Sequence, residues 1–520
     1  MDEQSFGVPR PFSETARAFF SPDTTSPGFL GARWLYLRAL GLFYVSVFYS
    51  LACQIRGLIG DQGILPAANL FTFVREHDGI ERYWTLPSLL WLAPSDTGLI
   101  ALVVVGLAAS LLLVANILPR ASLVVCGVLF LSFVTTARVF SSYQSEGMLL
   151  EATAAAFVLA PPGAWPGLGA LHPPSRAARF LVLWEGFRIY FESGIAKLAS
   201  GDPSWRDMTA MDHYYENGPL PTWIGWWAQQ LPHGFHAATA VITLVVELVV
   251  AFGLFGPRRV RLATFGVLTV LQAGIIATAN YCFLNYLVLA LAIPCVDDDV
   301  IARCLRVRLP TPQSTQASTA GKRWRWRAAT AWTSLLFYAS IAVFVLAGAP
   351  PPISWLAAPA EVLAHVRLAN RYGLFAVMTN VRYEIELEGS TDGVHYVAYP
   401  FRYKPQVLDS PPGIFAPYQP RFEWNLWFCA IYEEGVPRRY ITTVSRQTCP
   451  WVVALEARLM ERSPPVLGLF RDDPLHGASP RSVRAVLWQY WMTDRATLRT
   501  TGRYWRRERI GTYIDVVDSQ

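Results

Sequence analysis

The sequence carries little charge for its length. Charged residues make up 16% of the 520 residues and hydrophobic residues 53%, and the mean hydropathy is positive. These values are typical of a multi-pass membrane protein and not of a soluble enzyme. The net charge of +6 is also small, and its basic excess lies in short loops between apolar runs. That distribution indicates membrane orientation and argues against the binding of nucleic acid.

Several motifs of known chemistry are missing. The seven cysteines form no CxxC pair, and the chain has no HExxH motif, GxSxG elbow, phosphate-binding loop or dinucleotide fingerprint. We therefore expect no metal site and no cofactor. We also expect no cleavable signal peptide, because residues 1–32 are polar and mixed in charge. We expect this segment to be cytoplasmic and the first apolar helix to act as a retained insertion signal.

The chain does contain a series of apolar runs between residues 33 and 349, which we interpret as nine membrane spans. The uncharged run 262–296 is too long for one straight span, and its polar middle, Asn280–Asn285, predicts a turn between two short helices. The other predicted spans are 34–55, 98–118, 121–137, 139–162, a helix beginning at Arg179, 235–255 and 328–348.

The basic residues between these runs test the count of spans. With a cytoplasmic N-terminus, the strongly basic loops, including 257–261 and 297–327, all fall on the cytoplasmic side. A single span over 262–296 would put those two loops on opposite sides of the membrane, so the charge pattern favours two helices there. Three parts of the chain are then outside the cytoplasm: 56–97, 199–234 and 350–520.

The fifth predicted helix is unusual because it carries charge. At about 100° per residue, Glu185, Arg188 and Glu192 lie within roughly 60° of one another. A charge inside a membrane is costly, so this face must be buried against other helices or line a wet cavity. The charges form either a functional polar site or a structural ion-pair network. Lys197 lies about 120° from that face, and we expect it to snorkel to the outer interface.

Acidic residues on neighbouring helices are candidates for the same polar cluster. Glu146 and Glu151 lie at the outer end of the fourth helix. Glu247 lies deep in the sixth span and is a candidate partner for Arg188. The candidate intramembrane cluster is therefore Glu146, Glu151, Glu185, Arg188, Glu192 and Glu247.

The loop 199–234, directly after the charged helix, is polar and aromatic. Neighbouring Asp and His side chains can bind a metal ion or transfer protons, but the loop lacks the spacing of a known metal site. The alternative is a solvated loop that packs over the membrane domain. The candidate residues of this exported loop are Asp202, Trp205, Arg206, Asp207, Asp212 and His213.

Residues 350–520 indicate a soluble domain. Apolar and charged residues alternate over 381–388, which predicts a half-buried strand, and 394–403 reads as its return strand. Helical periodicity is plausible around 451–462 and 481–492. We predict a β-rich, β-sandwich-like domain with added helices. Its two cysteines, Cys429 and Cys449, can pair in an oxidising compartment, although the sequence does not give their separation.

Six stretches of the chain resemble the lipase maturation factor family, in matching order. They are LLEATAAAFVLAP (149–161), SGIAKLASGDPSWRDMTAMDHYYENGPLPT (193–222), ATANYCFLNYLVLALA (277–292), NRYGLFAVMTNVRYEIELEGSTDG (370–393), FRYKP (401–405) and YQPRFEWNLWFCA (418–430). The chain is similar to a bacterial-type member. The resemblance implies a multi-pass membrane domain followed by a non-cytoplasmic soluble domain, in agreement with the charge pattern. It supplies no catalytic residues.

The resemblance implies a membrane-embedded factor that helps exported proteins, lipases above all, to fold. Animal members reside in the endoplasmic reticulum membrane, and a bacterial member is expected in the inner membrane. The client would meet the exported loop and the C-terminal domain, and a non-enzymatic role is favoured. The alternative is a membrane enzyme acting on a lipid-soluble or peptide substrate in the polar cavity, since the membrane part distantly resembles vitamin K-dependent carboxylases. A transporter is less favoured, because no inverted repeat is evident.

Overall fold

The computed structural model describes residues 12–141, 143–313, 320–346, 354–431 and 449–518. A helical region comes first and a smaller mixed region follows. The helices of the first region are α1 (Phe12–Phe20), α2 (Leu30–Ile59), α3 (Ala67–His77), α4 (Arg82–Thr85), α5 (Asp96–Val114), α6 (Pro119–Ala137), α7 (Gln144–Leu159), α8 (Arg176–Ala199), α9 (Tyr214–Asn217), α10 (Trp223–Gln229), α11 (His233–Leu248), α12 (Arg258–Thr278), α13 (Leu284–Leu291), α14 (Asp298–Leu305) and α15 (Ala320–Val345).

Among the described residues, six helical segments are long and apolar enough to cross a membrane. They match six of the nine predicted spans: Leu30–Ile59, Asp96–Val114, Pro119–Ser141, His233–Phe255, Arg258–Thr278 and Trp324–Val345. The run 262–296 is broken as predicted, because α12 ends at Thr278 and a shorter apolar segment covers Leu284–Cys295. Helices α7 and α8 are the other two predicted spans, and they fall outside the six.

The composition of α7 and α8 follows from their place in the interior. Nearly every side chain of α7 from Ser145 to Ala156 is buried, and α8 buries Glu185, Arg188 and Glu192. Neighbouring helices therefore cover them, and a covered helix can hold polar side chains that lipid would not accept. Ser175 caps the start of α8 by accepting a hydrogen bond from the backbone N–H of Ala178.

The C-terminal region contains one four-stranded antiparallel sheet, in the order β2-β1-β3-β4, among its described residues. Ile385 of β1 lies opposite Leu487 of β3, and Met492 of β3 opposite Trp505 of β4. Its elements are α16 (Ala358–His365), β1 (Arg382–Ser390), β2 (Val397–Ala398), α17 (Arg421–Cys429), α18 (Pro450–Met460), α19 (Pro464–Leu467), β3 (Ser482–Met492), α20 (Arg495–Thr501) and β4 (Trp505–Asp518).

Three details of this region differ from the sequence prediction. The described residues form a single sheet instead of the two packed sheets of a sandwich, and the return strand shrinks to Val397–Ala398. The stretch 481–492 is the strand β3, and the helix predicted there was wrong. Eight of its twelve residues are apolar and both faces of the strand are largely buried, so periodicity does not separate a buried strand from a buried helix, and its Val and aromatic residues favour a strand. The helix predicted near 451–462 is present as α18.

The charged face of β1 is buried, although the alternating pattern predicted exposure. Arg382 donates hydrogen bonds to the backbone carbonyls of Glu216, Gly218 and Pro219. It also pairs with Glu384, whose second oxygen lies 2.6 Å from the Lys404 ammonium nitrogen. The segment around α9 therefore covers this face, and a buried charge of this kind is held by partners on both sides. The sheet is thereby attached to the loop that follows α8.

Candidate functional site at the junction of the two regions

The charged face of α8 is centred on Arg188, which is buried. Its Nη1 lies 2.6 Å from Glu151 Oε1 of α7, and its Nε lies 2.8 Å from Glu192 Oε1 one turn further along α8. Its Nη2 donates to the backbone carbonyl of Asn370, far along the chain. The guanidinium therefore joins two membrane-region helices to the start of the C-terminal region.

The acidic partners of Arg188 bind the same distant stretch. We call residues 370–379 the anchor segment. Glu151 Oε2 accepts hydrogen bonds from the Asn370 backbone N–H at 3.1 Å and from the Tyr372 hydroxyl at 2.7 Å. Glu192 Oε2 accepts from the backbone N–H of Tyr372 at 2.8 Å. Each carboxylate thus shares its two oxygens between Arg188 and the anchor segment, which satisfies the buried charges.

A second ion pair continues this arrangement toward the end of α8. The Lys197 ammonium nitrogen lies 2.9 Å from Glu247 Oε1 and donates to the backbone carbonyl of Leu374 at 2.8 Å. Lys197 is only 2% exposed, so the snorkelling predicted for it was wrong, because the anchor segment covers it. The partner suggested for Glu247, Arg188, was wrong as well. Helix α11 packs closely on α8 at Gly194, one turn before Lys197, which brings Glu247 to that lysine.

The loop 199–234 extends the contact with the anchor segment. Asp202 Oδ2 accepts a hydrogen bond from the Met378 backbone N–H at 2.6 Å, and its Oδ1 accepts from the Ser204 N–H at 2.8 Å. Partial burial raises the pKa of Asp202, but these hydrogen bonds outweigh burial, so its pKa lies below the usual value. The Trp205 indole N–H donates to the carbonyl of Phe375 at 3.0 Å. The loop and α8 therefore bind one continuous segment.

The other candidates of the exported loop lie apart from this contact. Arg206 donates to the carbonyl of Leu198, and Asp207 is exposed. Asp212 lies 3.0 Å from the His233 ring, and His213 is exposed. In the described parts of the chain, no group of three His, Cys, Asp or Glu residues is placed to hold a metal ion.

Glu146 belongs to a second buried cluster. Its Oε1 lies 2.9 Å from Arg421 Nη1 of α17, and Arg421 also donates to the Phe140 carbonyl and the Ser141 hydroxyl. This pair joins the start of α7 to the C-terminal region at a separate point. Glu185 is buried on α8 but forms no ion pair with the described residues.

Three residues central to these clusters were missed by sequence reasoning: Asn370, Tyr372 and Arg421. The first two act largely through backbone atoms, which leave no mark in side-chain chemistry. Arg421 lies in an aromatic stretch without a charge pattern. All three do fall within the stretches NRYGLFAVMTN and YQPRFEWNLWFCA that carry the family resemblance, which is the one signal that points to them.

A disulfide joins Cys429 at the end of α17 to Cys449 just before α18, with their Cα atoms 5.7 Å apart. The Tyr513 hydroxyl of β4 donates to the backbone carbonyl of Cys429 at 3.0 Å. The bond therefore fixes two helices of the C-terminal region to each other beside the sheet.

Comparison with known proteins gives one consistent result. A model of the lipase maturation factor transmembrane domain matches residues 31–303, and a model of the lipase maturation factor C-terminal domain matches 368–515. Lipase maturation factor 2 of Mus musculus is 30% identical over 93% of this chain and 82% of its own length. Lipase maturation factor 1 of Bos taurus is 28% identical over 94% of this chain and 90% of its own length.

No solved structure matches this chain. The anchor segment lies at the start of the second matched stretch, and its partners on α7, α8 and α11 lie in the first. The candidate site therefore joins the two parts by which the relatives are defined. Both family models match in order and together cover most of the sequence, so this chain belongs to the lipase maturation factor family.

Proposed function

We propose that this chain is a membrane-embedded maturation factor that assists the folding of exported lipases. The observation that carries the proposal is the match of both domains to relatives named as lipase maturation factors. The buried clusters support it, because they hold the C-terminal region firmly to the membrane helices. A platform fixed at the membrane is suited to receive a client as it emerges from translocation.

We further propose the finer topology. The six candidate spans, together with α7, α8 and the segment Leu284–Cys295, make nine crossings with a cytoplasmic N-terminus. Residues 1–32 would be cytoplasmic, 33–349 would form the membrane domain, and 350–520 an exported domain. The side would be periplasmic in a bacterium and lumenal in the endoplasmic reticulum of a eukaryote. The distribution of basic loops supports this arrangement.

The client would meet the exported face around α10 and the C-terminal region. Trp223 and Trp227 of α10 are nearly half exposed, and Arg495 of α20 lies over the Trp227 ring. Exposed aromatic residues beside arginine are typical of surfaces that bind proteins. This surface lies next to the sheet, so the loop 199–234 and the C-terminal region both contribute to it.

The alternative, a membrane enzyme that uses the polar cluster, is not favoured. Arg188 and Glu192 are engaged by each other, Lys197 is engaged by Glu247, and all three bind the anchor segment. A general base or acid needs access to its substrate proton. These side chains instead hold two parts of the same chain together.

The experiment that tests the proposal is deletion of the gene in a host that expresses a secreted lipase. The specific activity of the secreted lipase should fall, while the amount of lipase synthesised stays the same. A cytosolic esterase in the same cells should keep its activity. Unchanged specific activity of the secreted lipase would contradict the proposed function.

A further inference from the structure

A cavity of about 840 Å³ lies between the membrane helices and the C-terminal region. Its walls come from the start of α7, the anchor segment and α17, and they include Tyr143, Phe375, Trp424 and Phe428. Cavities of this size, lined mainly by apolar and aromatic side chains, are typical of sites for small ligands. The candidate site described above lies behind this wall and does not use the cavity.

The described part of the cavity lining is uncharged. None of its described lining residues is Asp, Glu, Lys, Arg or His. Charged side chains behind the wall are paired with each other: Arg421 with Glu146, Arg382 with Glu384, and Lys197 with Glu247. A phosphate, carboxylate or ammonium group would therefore lose its hydration and find no counter-charge inside.

Some neutral polar atoms of the lining residues nevertheless lack a hydrogen-bond partner among the described residues. Asn217 Oδ1, Gln419 Oε1 and Trp424 Nε1 have no hydrogen-bond partner among the described residues, and all three side chains are more than nine-tenths buried. Two of these atoms are acceptors and one is a donor. Buried polar groups normally have partners, so a ligand with both a hydroxyl and a carbonyl group would complete this set.

Part of the cavity wall belongs to a candidate membrane span. Val139 lines the cavity, is 38% exposed and lies within the candidate span Pro119–Ser141. Phe428, which also lines the cavity and stacks on Tyr143, is 45% exposed. An apolar rim at the end of a membrane span gives a bilayer lipid a path into the cavity.

We propose that this cavity binds a neutral glycerolipid of the diacylglycerol class. The apolar walls take acyl chain, and the free amide and indole groups bind the ester carbonyl and hydroxyl of the uncharged head. An extended peptide fits less well, because no lining residue belongs to a strand and the cavity offers no sheet edge to pair with.

The test is photolabelling of the full-length protein in detergent with a diacylglycerol that carries a diazirine in its acyl chain. Labelled peptides should map to the anchor segment and α17. Unlabelled diacylglycerol should compete, whereas phosphatidic acid with the same chains should compete at least about tenfold less, because its charge is not matched. Labelling outside the cavity, or equal competition by phosphatidic acid, would overturn the proposal. Competition by an uncharged apolar peptide alone would overturn it in favour of a peptide groove.

Two variants sharpen the result. Ala376→Trp, in the cavity wall, should reduce labelling about tenfold by filling the space, and Val394→Trp, 73% exposed in a distant turn, should leave it unchanged. Because Ala376→Trp can fail to fold, Trp424→Phe is measured as well, and loss of its N–H should reduce labelling roughly fivefold. Full labelling of folded Trp424→Phe would count against the proposal. The assay contains no lipase, so its failure leaves the proposed function standing.

Discussion

At the scale of single residues, the charged side chains of α8 bind backbone atoms of the anchor segment. Arg188, Glu192 and Lys197 reach the carbonyls or N–H groups of Asn370, Tyr372 and Leu374. Removing one member of a buried charged cluster lowers the free energy of unfolding by more than the intact cluster contributes to it. The reason is that the remaining partners stay buried without compensation.

Glu192→Gln should therefore destabilise the protein by about 3 kcal/mol. The amide presents an N–H₂ group toward Arg188 and leaves that cation with one buried carboxylate, Glu151. Thermal unfolding in detergent, followed by tryptophan fluorescence, measures the loss. Arg56→Met is the matched control, because the Arg56–Asp96 pair is exposed, and it should change stability by less than about 1 kcal/mol. A fully stable Glu192→Gln that lacks maturation activity would revive the enzyme hypothesis.

Asp202 predicts a pH dependence with a definite sign. Its pKa in the folded protein lies below the usual 3.8, so its contribution to stability is fully present above pH 3.8 and is lost as the pH falls through the folded pKa. The expected contribution of this carboxylate to the free energy of unfolding is about 1 kcal/mol, as for a helix N-cap at a partly exposed site. The difference in unfolding midpoint between wild type and Asp202→Asn should be constant from pH 7 to pH 5 and shrink below about pH 4. A difference that grows in acid would contradict this assignment.

At the scale of elements, Lys197 and Glu247 join α8 to α11. Lys197→Met should cost about 3 kcal/mol because it leaves Glu247 buried and unpaired. Adding Glu247→Leu should restore about 2 kcal/mol of that loss, since the double variant has no orphaned charge. A double-mutant cycle of unfolding free energies measures the coupling. Strict additivity would mean that the pair is not formed.

The disulfide between α17 and α18 should stabilise the protein, because the loop that it closes restricts the unfolded chain. The cysteines are 20 residues apart, and a loop of that length predicts a loss of about 3 kcal/mol when both become serine. Mass spectrometry of an unreduced digest should detect the linked peptide, and unfolding in detergent should measure the loss. Cys304→Ser, at an exposed free cysteine, is the control and should change nothing. An unlinked digest would contradict the bond.

The elements also show which parts of the fold the sequence predicts and which parts it does not. Runs such as Asp96–Val114 are uniformly apolar, so hydropathy alone places them. The cost of charge in lipid predicts that the charged face of α8 is buried against other helices or lines a wet cavity. It is buried, and besides Glu151 it binds backbone atoms of a segment some 180 residues away. No side-chain pattern encodes such a pairing. The misassigned 481–492 fails for a different reason, because burial on both faces erases the period that distinguishes strand from helix.

At the scale of the whole molecule, the proposed topology makes a prediction about access from each side. In a Cys53→Ser background, Val394→Cys in the turn after β1 should react with an impermeant maleimide on intact bacterial spheroplasts. The native Cys304, exposed at the end of α14, should react after the membrane is permeabilised. Labelling of Cys304 on sealed spheroplasts would contradict the cytoplasmic assignment of the basic loops.

The anchor segment also has a consequence for the order of synthesis. The chain is made from its N-terminus, so in the proposed topology α8 enters the membrane well before Asn370 and Tyr372 exist to satisfy Glu151 and Glu192. Until then the bundle carries exposed hydrogen-bonding groups at membrane depth, a costly intermediate. A protein chain truncated between residues 350 and 370 would remain in that state permanently. Such a product, although it keeps every membrane helix, should be recognised and degraded by the quality control of its membrane.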